Sequence, residues 1–459
     1  MVRVRSAVAV LLVATLVLSA CSDDKKEAST TGSGPAAASS DAPLTDSFRG
    51  VKAATIKIAF VVVDFKCLEQ FIDNNQGDDE KIIKVFVDDM NKKGGIGGRQ
   101  IEYVFRRNCP LKQDEVAATC TELTDDEQVF AVLGVYDTEP PGDGTNKLCL
   151  SKEKETVQIN HILKQSVIDQ AIPGLLLTPG IAAERQLNAV LSLLEQEKTL
   201  AGKKIALLAD QNSQAGAEPL VTEFATAAGL QTGSTAVLTI TSEETTAAQA
   251  QLDSFIEKWK SEGVNALVMA GLSISAKQFV EKIKANIPDM VLIADATEVG
   301  TQAKDEVLAG VSPNPYEGMF AASGPSAIDN FNSAGLQACI KIYEETTGEK
   351  VLSPVELGQG ETGVGAPKRE EVYIGIQDRC AELSMLKQIA EKAGPNLTND
   401  TWIAAVNSFG KIELPNTPFA SLKEGKYDAD DAFRLVSWDS SIEGGGDFKG
   451  LTDLKDIAG

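Results

Sequence analysis

The histidine content limits the chemistry that this chain of 459 residues can support, because His161 is its only histidine. Acyl transfer by a Ser-His-Asp arrangement needs a histidine base, and the sequence has no G-x-S-x-G segment to expose a nucleophilic serine. No Cys/His spacing fits a zinc site, and no motif predicts a cofactor. We therefore expect a protein that is not an enzyme. A secreted hydrolase with paired carboxylates is the less favoured alternative, since a sequence does not display the separation of two carboxylates.

Polar side chains that follow short apolar runs are the candidates for binding a solute, because ligands of open α/β sheets bind at the carboxyl ends of the strands. Acids, amides, hydroxyls and two aromatics at these places predict hydrogen bonding to a small polar solute with little apolar burial. Each candidate has an ordinary alternative: His161 as a wall residue, Asp137 and Asp295 as helix caps, and the aromatics as packing residues. The candidates are Asp64, Phe65, Tyr136, Asp137, Thr138, Asn160, His161, Gln214, Ser273 and Asp295.

The elements that position these residues are predicted by short β-rich runs that alternate with longer amphipathic runs after Thr55. Near-continuous apolar strands separated by helices are typical of parallel sheets covered on both faces. Since the pattern is too long for one ordinary sheet, we predict an α/β fold of two doubly wound parallel-sheet lobes. The predicted strands are 56–63, 100–105, 129–133, 156–159, 204–208, 266–269, 291–294 and 318–321, and the predicted helices include 79–92, 112–123, 183–197, 217–228, 246–261 and 276–285.

The first fifty residues predict export. Arg3 and Arg5 precede an apolar run at 7–18, which is too short to span a bilayer but has the length of a signal-peptide core. The run ends in Leu-Ser-Ala-Cys, which resembles the lipobox of bacterial lipoproteins; an ordinary secretory peptide with a chance cysteine is the alternative. We expect 1–21 to be a lipoprotein signal peptide with the lipidated residue at Cys21, and 22–51, which is small and polar, to be a flexible tether.

Charge and cysteine content narrow the class of protein further. The formal net charge is −23, from 43 Lys and Arg against 66 Asp and Glu, and this argues against nucleic-acid binding, which needs basic patches. Apart from Cys21, an even number of cysteines remains, which in an oxidising compartment predicts three disulfides. These cysteines are Cys67, Cys109, Cys120, Cys149, Cys339 and Cys380.

The segment 85–103, VFVDDMNKKGGIGGRQIEY, carries a family resemblance. It resembles the N-x-x-GGI-x-G-x-x-I-E segment of type I periplasmic binding proteins, above all the leucine/isoleucine/valine-binding branch that serves branched-chain amino-acid ABC importers. The runs 56–60, 129–134, 204–208 and 433–438 are similar to strands of the same family, so that the resemblance spans most of 56–438. A dinucleotide loop would instead need GxGxxG between a strand and a helix, whereas here the order is helix to strand.

The resemblance implies a discontinuous lobe one, an inserted lobe two and a hinge of three crossings that closes on a ligand. Lobe one would comprise 52–178 plus 317–411, and lobe two would comprise 179–316 plus 412–459. Two Pro-containing runs, at 173–180 and 312–316, look like crossings between the lobes.

The ligand set of the family is only partly matched. Its amino-acid binders hold the ligand through a Ser after the third strand and an Ala-x-Thr after the fourth, where this chain has Tyr136-Asp137-Thr138 and Asn160-His161-Ile162. A lobe-two acid that binds the ammonium in the family is matched by Asp295 or Glu298, and a hinge-facing Tyr is matched by Gln214. These departures argue against a branched-chain amino acid as the ligand, and a small polar solute remains the predicted class.

The resemblance also implies disulfide partners. Cys339 and Cys380 lie on helices that the family packs together, and the ends of the first two strands would bring Cys67 to Cys109. Cys120 and Cys149 would then pair. A Cys109–Cys120 bridge with a different partner for Cys149 stays open as the alternative.

By resemblance, we expect a lipid-anchored, monomeric solute-binding protein on the outer face of the cytoplasmic membrane in the cell envelope, with an ABC-importer permease as its partner and with no cofactor, metal or nucleic acid. A sensory or adaptor receptor of the same fold is the alternative.

Overall fold

The computed structural model of the chain describes residues 43–68, 76–109, 112–134, 145–160, 165–239, 245–272, 276–295, 310, 313–358, 370–442 and 445–458. The strands are β1 (Thr55–Val63), β2 (Gln100–Asn108), β3 (Ala131–Leu133), β4 (Val157–Ile159), β5 (Leu176–Leu177), β6 (Lys204–Asp210), β7 (Gln231–Thr232), β8 (Ala236–Leu238), β9 (Ala266–Ala270), β10 (Val291–Ala294), β11 (Phe320–Ser323), β12 (Gly410–Lys411), β13 (Ser421–Leu422), β14 (Ala432–Asp439), β15 (Asp447–Gly450) and β16 (Lys455–Asp456).

Helices lie between most of these strands. They are α1 (Asp79–Lys92), α2 (Gln113–Thr121), α3 (Thr145–Leu148), α4 (Gln165–Ile168), α5 (Ala183–Glu197), α6 (Gln214–Ala227), α7 (Thr245–Glu262), α8 (Ala276–Asn286), α9 (Ala327–Asn332), α10 (Ala334–Thr347), α11 (Val372–Ala393) and α12 (Asn399–Asn407). Among the described residues, none of these helices combines the length and hydropathy needed to cross a membrane.

The strands form two main sheets. Sheet one has the order β2-β1-β3-β4-β5 and is parallel throughout. Sheet two follows the order β15-β14-β11-β10-β9-β6-β7, with β8 beside β6 and β16 beside β14. It is parallel from β7 to β11, and the closing strand β14 is antiparallel to β11. The predicted class, two doubly wound parallel-sheet lobes, is confirmed, with an antiparallel edge on the second sheet.

Apolar side chains cover both faces of each sheet, as the near-continuous apolar strands predict. On sheet one, α1, α10, α11 and α12 pack on one face and α2 packs on the other. On sheet two, α7 and α8 pack on one face and α5 and α6 on the other. The largest fully buried side chains, Trp259, Trp402 and Trp438, belong to these cores.

The Gly-rich segment after α1 joins this helix to β2, in the helix-to-strand order that the sequence indicates. The Asp78 carboxylate accepts the amides of Glu80 and Lys81 at the start of the helix, and the chain then turns through Gly94 and Gly95, both with positive φ. A Cβ on Gly95 would lie 1.9 Å from Arg99 O, so no other residue fits there without moving the backbone.

Three disulfides stabilise the part of the chain that forms sheet one and its helices. They are Cys67–Cys109, Cys120–Cys149 and Cys339–Cys380, which confirms the expected pairing and excludes the Cys109–Cys120 alternative. In the chain-entropy account, a bridge that closes a loop of 41 residues, as Cys339–Cys380 does, contributes about 4 kcal/mol of stability.

Two boundaries drawn from the sequence are wrong. The run at 312–316 is not a crossing, because Tyr316 and Met319 lie in the core of sheet two and the following strand, β11, pairs with β10 and β14. The boundary at residue 411 also moves, because the side chains of Ile412, Leu422 and Ala429 belong to the core on sheet one. The chain leaves sheet two only after Ser323 and returns at β14.

Candidate functional site

Three of the predicted site residues lie at the carboxyl edge of sheet one. The amide of Asp64, directly after β1, donates to Asn108 O at the end of β2 over 2.9 Å, and its carboxylate accepts the amide of Lys66 over 3.2 Å. Phe65 begins a short 3-10 helix and is half-buried. Asn160 follows β4 and is fully buried. Because β1, β3 and β4 are parallel neighbours, these residues share one edge of the sheet.

Two carboxylates converge on Gly271 at the carboxyl edge of sheet two. The amide of Gly271, which follows β9, donates to Asp295 Oδ2 over 2.5 Å. A Cβ on Gly271 would lie 2.1 Å from Ser213 Oγ and 2.7 Å from Asp210 Oδ1. Asp210, the last residue of β6, accepts the amides of Asn212 and Ser213 over 3.1 and 2.7 Å. The glycine, with φ +73°, therefore lets the ends of β6, β9 and β10 approach one another.

Of the remaining predicted site residues, only Gln214 lies within the described part of the chain. Gln214 begins α6 next to Ser213, and its Nε2 donates to Glu218 Oε2 over 3.1 Å. Tyr136, Asp137, Thr138, His161, Ser273 and the lipidation candidate Cys21 lie outside the described residues.

A buried charged group that the sequence did not predict lies beneath the end of β3. A Cβ on Gly134 would be 2.3 Å from Val61 O and 2.9 Å from Arg379 Nη1, so the guanidinium of Arg379 packs against the strand ends. Arg379 and Glu382, both buried on α11, form an ion pair of 2.8 Å. Burial raises the pKa of Asp79 at the start of α1, although the charge of Arg379 opposes this shift.

Three crossings connect the two sheets. Crossing one, residues 178–182, and crossing three, residues 427–431, run side by side: Thr178 N donates to Tyr427 O over 3.0 Å, and Ala429 N donates to Thr178 O over 2.9 Å. Crossing two, residues 324–326, joins β11 to α9. Crossing one overlaps the run at 173–180, which the sequence identified as a crossing.

Buried ion pairs fix crossing three against α5. Arg185 contacts Asp428 over 2.7 Å and Asp431 over 2.8 Å, and Lys426 contacts Asp431 over 3.1 Å. The two aspartate side chains are each 1% exposed. The amide of Ala182 in crossing one also donates to Asp428 Oδ2, over 2.8 Å. Breaking such a pair from one side leaves an uncompensated buried charge, so this cluster resists local rearrangement.

The described residues contain no metal site, and the groove that they form on α6 does not include the strand-end residues. Within the described part of the chain, no group of three or more His, Cys, Asp or Glu side chains is arranged to hold a metal ion. A shallow groove runs along the outer face of α6, but it contains none of the residues that follow the strands. Its lining is Ala215, Glu218, Pro219, Thr222, Glu223, Thr226 and Ala227.

Sequence reasoning missed several residues at these edges. Asp210 lies two residues after the predicted strand 204–208, so the strand-end rule that selected Asp295 also reaches it. Arg379 gives no such signal, because it lies inside a helix and reaches the strand ends only through packing. The ion pairs between α5 and crossing three also give no local signal in the sequence, since Arg185 and Asp431 are 246 residues apart.

The chain matches the family model of the periplasmic binding proteins over residues 78–361, more than half of its length. No curated protein sequence matches it. Members of this family are binding proteins that work outside the cytoplasm.

Solved structures share the fold at low identity. A solute-binding protein of an ABC transporter from Rhodopseudomonas palustris HaA2, in complex with p-hydroxybenzoic acid, has a TM-score of 0.54 at 13% identity, covering 88% of this chain and 97% of that one. An ABC-transporter substrate-binding protein from Desulfitobacterium hafniense in complex with Leu has a TM-score of 0.52 at 12% identity, with coverages of 86% and 100%. These likenesses show the type I fold, and the family match shows that the chain belongs to the periplasmic binding proteins, which work outside the cytoplasm.

Proposed function

We propose that the chain captures a small polar solute, amino-acid-like or another polar metabolite, between its lobes and delivers it to an ABC importer. The observation that carries this proposal is the convergence of Asp210, Ser213 and Asp295 on Gly271 at the carboxyl edge of sheet two. Strand ends of this kind are where open α/β sheets bind ligands.

The residue types at the strand ends favour a solute with hydrogen-bond donors. Carboxylates accept from ammonium and hydroxyl groups, and charge-assisted bonds of this kind are about twice as strong as neutral ones. We propose Asp64, Phe65, Asn160, Gln214 and Asp295 as ligand contacts, with Tyr136, Asp137, Thr138, His161 and Ser273 completing the set. Two lobes joined by a three-crossing hinge would then close on the solute.

We also propose that the protein is held at the membrane by lipid on Cys21, with 22–51 as the tether. Two or more acyl chains give a stable anchor, because each buried CH₂ contributes ~0.8 kcal/mol. Metabolic labelling with a radioactive fatty acid should label the exported protein, and the Cys21→Ala variant should be unlabelled and released. Equal labelling of both proteins would exclude this anchor.

The solute can be identified by mass spectrometry of small molecules released from the purified protein, followed by thermal-shift assays with amino acids, hydroxybenzoates and fatty acids. A solute that binds only the folded state stabilises it by about 2.7 kcal/mol at 100 times its Kd. The solute should be recovered unchanged after prolonged incubation. A protein that carries no solute and responds to none, or that consumes its ligand, would contradict the proposed function.

A pair of variants tests the sheet-two edge. Asp295→Asn should weaken binding of the identified solute by roughly 10- to 100-fold, since a hydrogen bond to a charged group is worth about 1.5–3 kcal/mol. Asp289→Asn is the matched control, because Asp289 is exposed in the turn before β10 and precedes the same strand. Equal affinities of the two variants would remove Asp295 from the site.

Delivery requires a separate measurement. Solute uptake into vesicles that contain the cognate permease and ATPase should depend on the purified protein and on its bound solute. A closed protein that instead alters the activity of a membrane receptor, with no uptake, would indicate the sensory role.

A further inference from the structure

Asp430 lies where the three crossings meet. Its backbone belongs to crossing three, and its amide donates to Gly180 O in crossing one over 3.0 Å. Its carboxylate reaches towards crossing two, since a Cβ on Gly324 would lie 3.9 Å from Asp430 Oδ2. Any rotation of one sheet about the other must therefore change the surroundings of this side chain.

The carboxylate of Asp430 is held by neutral donors. Thr417 Oγ1 donates to Oδ1 over 2.7 Å, and Ala432 N donates to the same atom over 3.0 Å. Its neighbours Asp428 and Asp431 instead pair directly with Arg185 or Lys426. Among the described residues Asp430 makes no ion pair. The cluster formed by the described residues Arg185, Lys426, Asp428, Asp430 and Asp431 therefore contains three carboxylates and two cations, and Asp430 is the carboxylate in excess.

The charged groups near Asp430 lie on the elements packed against it. Helix α5 contributes Arg185, crossing three contributes Asp428 and Asp431, and Lys426 directly precedes crossing three. Beyond crossing two, Asp329 on α9 is paired with Arg434 on β14, and β16 contributes Asp456 opposite Ala432. Burial raises the pKa of Asp430 to about 6, with the charge of Asp431 acting in the same direction, while the two hydrogen bonds and Arg185 oppose the shift.

We propose that Asp430 is a proton-dependent lock on the hinge, which holds the described arrangement more firmly when its carboxyl group is neutral and releases it when the group is ionised. This regulation concerns the same cleft as the proposed function and in that sense rests on it. The conformer that binds the proton more tightly is favoured as the pH falls. If rotation restores an ordinary carboxyl pKa near 3.8, lowering the pH from about 8 to about 5 shifts the equilibrium by about tenfold towards the described arrangement.

Double electron–electron resonance on the solute-free full chain tests the lock. Spin labels are attached through p-acetylphenylalanine at the exposed positions Lys92 and Glu257, one beside each sheet, so that the disulfides stay intact. In the wild type, the population at inter-lobe distances other than that of the described arrangement, relative to the population at that distance, should fall about tenfold between about pH 8 and about pH 5. Asp430→Asn should show the low population at both pH values, whereas the exposed control Asp289→Asn should respond as the wild type does.

A pH-independent distance distribution in the wild type, or a response that survives in Asp430→Asn, would overturn the lock. Thr417→Val gives a second test if the Asn variant does not fold, because loss of the hydrogen bond to Oδ1 should move the midpoint of the wild-type response to higher pH. An unmoved midpoint would count equally against it. Because no solute is added, failure of the lock is distinguishable from failure to find a ligand.

Discussion

The replacement Gly271→Ala tests whether close approach of the strand ends builds the sheet-two edge. Two costs are expected. An L-residue in the left-handed region costs about 1–2 kcal/mol, and Gly271 has φ +73°. The new Cβ would also lie 2.1 Å from Ser213 Oγ and 2.8 Å from Ser213 Cβ, so that the start of α6 must move. Overpacking of this kind costs about 1–3 kcal/mol, which gives a total loss of about 2–5 kcal/mol in the free energy of unfolding.

The glycine after α7 provides the matched control. Gly263 has φ +72°, and a Cβ there would meet nothing within 4 Å, so Gly263→Ala should lose only about 1–2 kcal/mol. Urea unfolding followed by circular dichroism measures both losses. Adding Ser213→Gly to Gly271→Ala should recover the part due to the clash with Ser213, because contacting sites are not additive. Equal losses for the two alanine variants, or no recovery in the double variant, would refute the crowding of these strand ends.

Three further variants test the parts of the fold that hold the edges in place. Replacing both Cys339 and Cys380 by Ala should lower the free energy of unfolding by about 4 kcal/mol in urea, and a loss below 1 kcal/mol would contradict a structural role for the bridge. Trp402→Phe should cost about 1–3 kcal/mol, because Trp402 Nε1 donates to Gly174 O over 2.9 Å in a buried site; an unchanged urea midpoint would exclude this contribution. Asp79→Asn should become more stable relative to the wild type when the pH rises from about 4 to about 8. A carboxyl group whose pKa is raised by folding destabilises the folded chain only once it ionises, and the Asn variant lacks this group. A stability difference that is the same at both pH values would show that Asp79 is not buried as described.

The sequence predicted the helices and strands whose residue patterns are local. The strand prediction 56–63 lies within β1, the helix prediction 79–92 coincides with α1, and 183–197 coincides with α5. Their apolar spacing and end residues depend on neighbours within a few turns of chain, which a sequence displays directly. The predicted strand 318–321 was similarly close to β11, but its lobe was wrong, since membership of a sheet depends on the pairing partners β10 and β14.

The candidate site likewise combines residues that a local pattern predicts with residues that only packing brings to it. The strand-end rule located Asp64, Asn160 and Asp295 because each follows a local apolar run. It gave no indication of Arg379, which reaches Gly134 from a helix more than two hundred residues later in the chain. It also gave no indication that Asp210 and Asp295 converge on one glycine.

The sequence by itself determined the alternation of strands and helices, the helix-to-strand order at the Gly-rich segment and the even number of cysteines besides Cys21, because each depends on residue type and short-range spacing. Only the tertiary structure decided where the crossings lie, which strand closes sheet two, and that Arg185, Lys426 and three aspartates lie together at the crossings. Residues such as Arg185 and Asp431, which are 246 positions apart, come into contact only when separately formed helices and strands pack together. The local spacing of residues does not indicate which distant charges become neighbours.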